Sequence, residues 1–123
     1  AIDYIRAHKL RNEIKNEFLR LLKKVDVIVV PTTILPAPRF DDLDVTNING
    51  KPIEIREALL RNTIAFNSTG LPAISIPVGL NKDRMPIGVQ IIGSLFEEEK
   101  LLSVAYKYEC INNNFDKCIP PLG

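Results

Sequence analysis

Residues 61–93 read RNTIAFNSTGLPAISIPVGLNKDRMPIGVQIIG, and their punctuation decides the fold. Two apolar runs, Ala73 to Val78 and Ile87 to Ile92, carry hydrophobic side chains at successive positions, the pattern of strands covered on both faces. The connection between them, about residues 80–86, is too short for a parallel crossover of about a dozen or more residues, so as neighbours they pair antiparallel. Before them stands Gly70 followed by Leu71 and Pro72. Glycine adopts the left-handed cap that ends a helix, and proline cannot continue one, so a helix from about Glu54 should stop there. Ile55, Ala58, Leu59, Ile64 with Ala65, and Phe66 supply its apolar side.

Upstream, Ile2, Ile5, Leu10, Ile14, Phe18, Leu21, Leu22 and Val25 recur with helical periodicity among charged residues, predicting an amphipathic helix from Ile2 to Val25. Val27–Val30 is a short β-branched run closed by Pro31, a buried strand. Prolines 31, 36 and 38 make the following stretch a loop. Residues 39–53 are polar, broken by Pro52 and by the turn pair Asn49-Gly50, and are expected to form an irregular excursion. Downstream, Ser94 and Glu97 have capping-box spacing, and Leu101, Leu102, Ala105, Tyr106 and Tyr108 continue as a helix to about Asn112. Residues 113–123 form a tail. The order helix, strand, helix, two strands, helix is an α/β architecture. Its strands want cover on both faces from few helices, so the chain reads as part of a larger layered sheet.

Composition narrows the function. Sixteen Lys and Arg against fifteen Asp and Glu give a net charge of +1, which offers no excess to hold nucleic acid or an anionic membrane. No apolar run approaches the ~20 residues of a membrane span, and no signal-peptide core opens the chain, so a cytoplasmic location is expected. Cys110 and Cys118 lack CxxC spacing. They read first as free thiols, or as a local disulfide in a hyperthermophile.

His8 is the single histidine and lies on the charged side of the first helix, without a partner to bind metal. Nucleotide-loop, GxSxG and HExxH signatures are absent. The run Glu97 to Lys100 suits the dipole at a helix start. Asn62, Thr63, Asn67, Ser68 and Thr69 crowd small polar groups into a helix end, where they either cap and satisfy the backbone or orient a ligand. Thr32 and Thr33 pose the same choice at the carboxyl end of a strand, where α/β sheets place ligands.

Three blocks, Asp26–Pro38 (DVIVVPTTILPAP), Arg61–Gly79 (RNTIAFNSTGLPAISIPVG) and Met85–Gly93 (MPIGVQIIG), in that order resemble the C-terminal region of the amidase-signature family. The resemblance reaches from the first helix to about Glu109. It implies a mixed β-sheet flanked by helices, with a serine nucleophile, a second serine on a cis peptide and a lysine base that cleave amides through an acyl-enzyme. In the family that triad lies in an earlier, Gly/Ser-rich part of the chain with no match between Ala1 and Gly123, so no catalytic residue is assigned.

The expected contribution is to the pocket of an amidase that yields acid and ammonia or amine. Leu60, Thr63, Ile64, Asn67 and Thr32 are the substrate-binding set, with no metal and no cofactor. Amidotransferase subunits of the family carry an acidic residue where this chain has Leu60, which favours an apolar acyl group instead. The partners implied are a small amide and the missing N-terminal part. Open strand edges also invite pairing with a second copy, a homo-oligomer. Rival readings are a fragment of a glutamine-dependent amidotransferase A-type subunit, and a binding or scaffold module derived from an amidase.

Overall fold

In a computed structural model that describes residues 1–41 and 44–112, the first helix, α1, runs Ile2–Leu22. It stops three residues before the expected Val25. Its last turn tightens, with the Lys24 N–H donating to Leu21 O at 2.9 Å, an i→i−3 bond of the kind that closes helix ends. Strand β1 follows as Ile28–Pro31.

The stretch 39–53, expected to be irregular, contains an antiparallel hairpin, β2 (Val45–Ile48) and β3 (Lys51–Glu54). Its two-residue loop is Asn49-Gly50, with φ of 52° and 77°, the two positive values that a twist-matched tight turn requires. Pro52 does not break the ribbon, because a two-stranded hairpin offers an edge on which a missing N–H is tolerated. The turn pair was therefore the stronger signal.

Helix α2 is Ile55–Thr69, and Gly70 caps it in the left-handed conformation, φ 68° and ψ 26°, as its sequence predicts. Strands β4 (Ala73–Leu80) and β5 (Pro86–Ile92) pair antiparallel, as expected from their short connection. Asn81 builds that connection: its Oδ1 accepts from the Asp83 and Met85 N–H groups at 2.9 and 2.8 Å. Helix α3 is Glu98–Ile111. The capping box does not form, since Glu97 is the N-cap without a side-chain bond and its N–H donates to the main-chain O of Ser94 at 3.2 Å. Phe96, at φ 62°, turns the chain between the two.

The main sheet has the order β1-β5-β4, and every pairing in it is antiparallel. Alternation along β5 sorts its two faces. Ile91 and Ile76 pack against Leu101 and Ala105 of α3, with Val27, Ile74 and Val89 around them. Ile92 faces the other way, against Phe66 and Leu71, with Phe18 and Leu22 of α1 and Ile28 closing the cluster. The fold is thus α/β in three layers, α1 with α2, sheet, and α3. The layers are incomplete, for Val29 and Ile87 remain 56 % and 43 % exposed. No residue of α1 is buried. No helix among the described residues is long and apolar enough to cross a membrane. Cys110 is exposed on α3, while Cys118 and the tail 113–123 lie outside the described residues.

Candidate functional site

Helix α2 has an inward and an outward side. Ile55, Ala58, Phe66 and Thr69 are its buried residues, and Asn62 continues their line half-buried. Leu60, Ile64 and Asn67 are spaced by four and three, so at 3.6 residues per turn they share one side, roughly opposite that line. All three are exposed, Leu60 at 40 % and Ile64 at 56 %. Leu60 opens on a groove of about 530 Å³ lined with Ile55, Arg56 and Leu59.

The remaining two candidates lie elsewhere. Thr63 is half-buried at the margin of the outward side, and its hydroxyl donates to Leu60 O at 3.0 Å within the same helix. Ser68 and Thr69 do likewise toward Ala65 O, at 2.9 and 3.0 Å. These hydroxyls satisfy main-chain carbonyls, the backbone role that helix-end Ser and Thr ordinarily take. Thr32 stands just past β1, where its N–H donates to Gly88 O at 3.0 Å and its hydroxyl shares a 2.6 Å hydrogen bond with Ser75. The five candidates therefore divide into an outward trio, an intermediate Thr63 and a Thr32 on the sheet.

Two residues complete the sheet side that sequence reading left unassigned. Ser75 and Gln90 face each other across β4 and β5, and Val30 faces Gln90 from β1. Gln90 is buried at 4 % exposure and donates from Nε2 to Asn62 O at 3.0 Å. Asn62 Nδ2 donates to Pro31 O at 2.8 Å. The available signal was the alternation Gly88, Gln90, Ile92 along one face of an apolar strand, which places a lone amide among side chains bound for the core.

Gly88 lets the Thr32 and Ser75 hydroxyls meet across the central strand. A Cβ there would stand 3.1 Å from Thr32 Oγ1 and 3.5 Å from Ser75 Oγ. Gly88→Ala is expected to lower stability by about 1–2 kcal/mol through this crowding, read from the urea midpoint. Thr32→Ala in the same chain should reduce the added cost of the alanine, because it removes the crowded oxygen.

A cavity of about 690 Å³ lies elsewhere, between loop residues Pro36–Asp41 and the β4–β5 turn, and none of the five candidates lines it. Among the described residues no three His, Cys, Asp or Glu side chains converge as a metal site. His8 lies against the ring of Tyr4, 4.4 Å between centroids, on the exposed α1.

A family model described as Amidase matches residues 1–102. A glutamyl-tRNA(Gln) amidotransferase subunit of Synechococcus sp. (strain JA-2-3B'a(2-13)) is 41 % identical over 120 residues, 98 % of this chain and 22 % of that protein. A fatty acid amide hydrolase of Medicago truncatula is 40 % identical over 109 residues, 89 % of this chain and 18 % of that protein. The crystal structure of an amidase superposes with a TM-score of 0.81 at 28 % identity, covering 88 % of this chain and 24 % of that one. The chain thus spans about a fifth of the length of the curated relatives it matches.

Proposed function

The chain belongs to the amidase family, and from that premise we propose that it is the C-terminal, pocket-contributing part of an enzyme that hydrolyses carboxylic amides to acid and ammonia or amine. The observation that carries this reading is the outward side of α2. Leu60 and Ile64 hold apolar surface in solvent with Asn67 at their margin, and the inward side of the same helix is packed and hydrogen-bonded to the sheet. The groove at Leu60 adds apolar walls from Ile55 and Leu59 with Arg56 as its polar group, a lining that suits an acyl chain carrying an amide.

The nucleophile and base come from outside these residues. Covalent catalysis needs a hydroxyl within hydrogen-bond reach of a base. Ser75 is bonded to a threonine and Ser68 to a main-chain carbonyl, neither of which takes up a proton at neutral pH. The uncovered apolar side chains of α1, Val29 and Ile87 support a further part of the protein lying over them. In this reading the enzyme works in the cytoplasm on a small amide.

A second reading, in which the parent is an amidotransferase subunit that takes ammonia from glutamine, draws support from the 41 % identity to a protein of that kind. Leu60 weighs against it, since an apolar side chain gives nothing to the ammonium of glutamine.

Ammonia release from aliphatic, aromatic and glutamine amides separates these readings. The protein from the complete reading frame is expected to hydrolyse apolar acyl amides, and the 123-residue chain none. Turnover by the short chain would overturn the division of labour, and a preference for glutamine would establish the second reading.

A further inference from the structure

We propose that Gln90 and Asn62 are positioning residues that fix where the outward side of α2 stands, and so set which acyl groups it accepts; the second clause rests on the function proposed above. Packing alone holds the two ends of α2 differently. Toward its C-terminus, Phe66 is buried against Ile92 in the apolar cluster that includes Leu71 and Phe18. One turn earlier the sheet beneath it changes character. The residues there are Thr32, Ser75, Gly88 and Gln90, with Val30 on β1 the one apolar side chain opposite Gln90, so the helix meets more polar than apolar surface.

At that level the contact is made by directional bonds. Gln90 Nε2 donates to Asn62 O at 3.0 Å, adding a second donor to a carbonyl that already serves the helical ladder. Asn62 Nδ2 donates to Pro31 O at 2.8 Å. One residue of α2 is thereby tied to both the central strand β5 and the edge strand β1. These are the only side-chain hydrogen bonds joining α2 to the sheet among the described residues.

The tie sits between Leu60 and Ile64 in sequence and on the other side of the helix. A rotation or slide of α2 at Asn62 therefore moves both. Non-directional packing tolerates small slides, while hydrogen bonds weaken steeply with misalignment, so a polar tie at this turn specifies the helix position. Misplacement of about 1 Å costs on the order of 10²-fold in a reaction that needs alignment.

Gln90→Met keeps the length of the side chain and removes the donor, and Asn62→Leu does the same for the bond to Pro31. Hydrogen exchange by peptide mass spectrometry, in the protein from its complete reading frame, reads the consequence. Either variant should speed exchange of residues 60–67 about tenfold and leave α3 within about twofold, because opening is confined to the released helix. Equal acceleration in α3 would show general destabilisation and overturn the proposal.

In the same protein, the ratio of kcat/KM between the preferred amide and the smallest one should fall about tenfold in Gln90→Met. An equal loss for every amide would overturn the positioning role. Local exchange in the variants with no ammonia from any amide by the unaltered protein would sink the amidase reading and leave the tie standing. Uniform exchange beside normal turnover by the unaltered protein would sink the tie alone.

Discussion

Ile92→Ala is expected to lower the stability of the chain by about 3–4 kcal/mol, measured from the urea midpoint with the slope unchanged. Ile92 is fully buried, at 0 % exposure, on the central strand. It stands opposite Ile28 on one side and Ala73 on the other, beneath Phe66, Leu71, Phe18 and Leu22. Truncation removes three carbons at the point where α1, α2 and the sheet meet. The cavity can close only if elements on several sides move together, which places the cost in the upper part of the range for buried isoleucines. Native proteins hold about 5–15 kcal/mol in all, so this one change would consume a large share of such a margin. Val29→Ala tests the contrast. Val29 is 56 % exposed on β1, and its truncation should cost under about 0.5 kcal/mol. Similar losses for the two variants would show that the face shared with α1 and α2 is not the cohesive one.

The elements whose sequence punctuation was local were legible. Gly70 before Leu71-Pro72 marks a helix end by backbone chemistry alone, and the cap is found there. The two long strands announce themselves by continuous apolar runs and a short connection, and they pair as that connection requires. Two features differ from expectation because one local signal fits more than one structure. In 39–53, polarity, Pro52 and Asn49-Gly50 all count as breaks in a sequence reading, yet proline is harmless at the edge of a two-stranded ribbon and the turn pair joins two strands. Ser94 has capping-box spacing, but Phe96 at φ 62° redirects the chain and Glu97 becomes the cap residue.

The candidate site was legible only where it follows helical spacing. Leu60, Ile64 and Asn67 share the outward side because positions four and three apart must. Thr32 stands out in the sequence by its place after a strand, and nothing in a linear pattern tells that its hydroxyl turns to Ser75, forty-three positions away. Alternation along β5 marks Gln90 as a core-facing amide but does not give its partner. A buried amide in an apolar strand becomes meaningful only once the helix carbonyl it serves is seen above it.

Leu60→Asp is expected to lower kcat/KM for amides of apolar acids by about 10²-fold or more in the protein from the complete reading frame. The groove at Leu60 is walled by Ile55 and Leu59, so a carboxylate there draws water into space that an apolar acyl group would fill. The fold itself should tolerate the change. Leu60 is 40 % exposed, and Arg56 stands one turn earlier on the same groove, where an aspartate at 60 would meet a cation at helical i,i+4 spacing. A urea midpoint within about 0.5 kcal/mol of the parent would therefore separate lost recognition from lost structure. Glutamine supplies the opposing arm. A carboxylate on the outward side of α2 attracts its ammonium, so turnover of glutamine should rise relative to that of apolar amides. Were apolar amides turned over as before, Leu60 would lie off the acyl path and the pocket would have to be sought along another face. Were glutamine the better substrate before the change, recognition of its ammonium would fall to a group other than residue 60, and the amidotransferase reading would gain what the amidase reading lost.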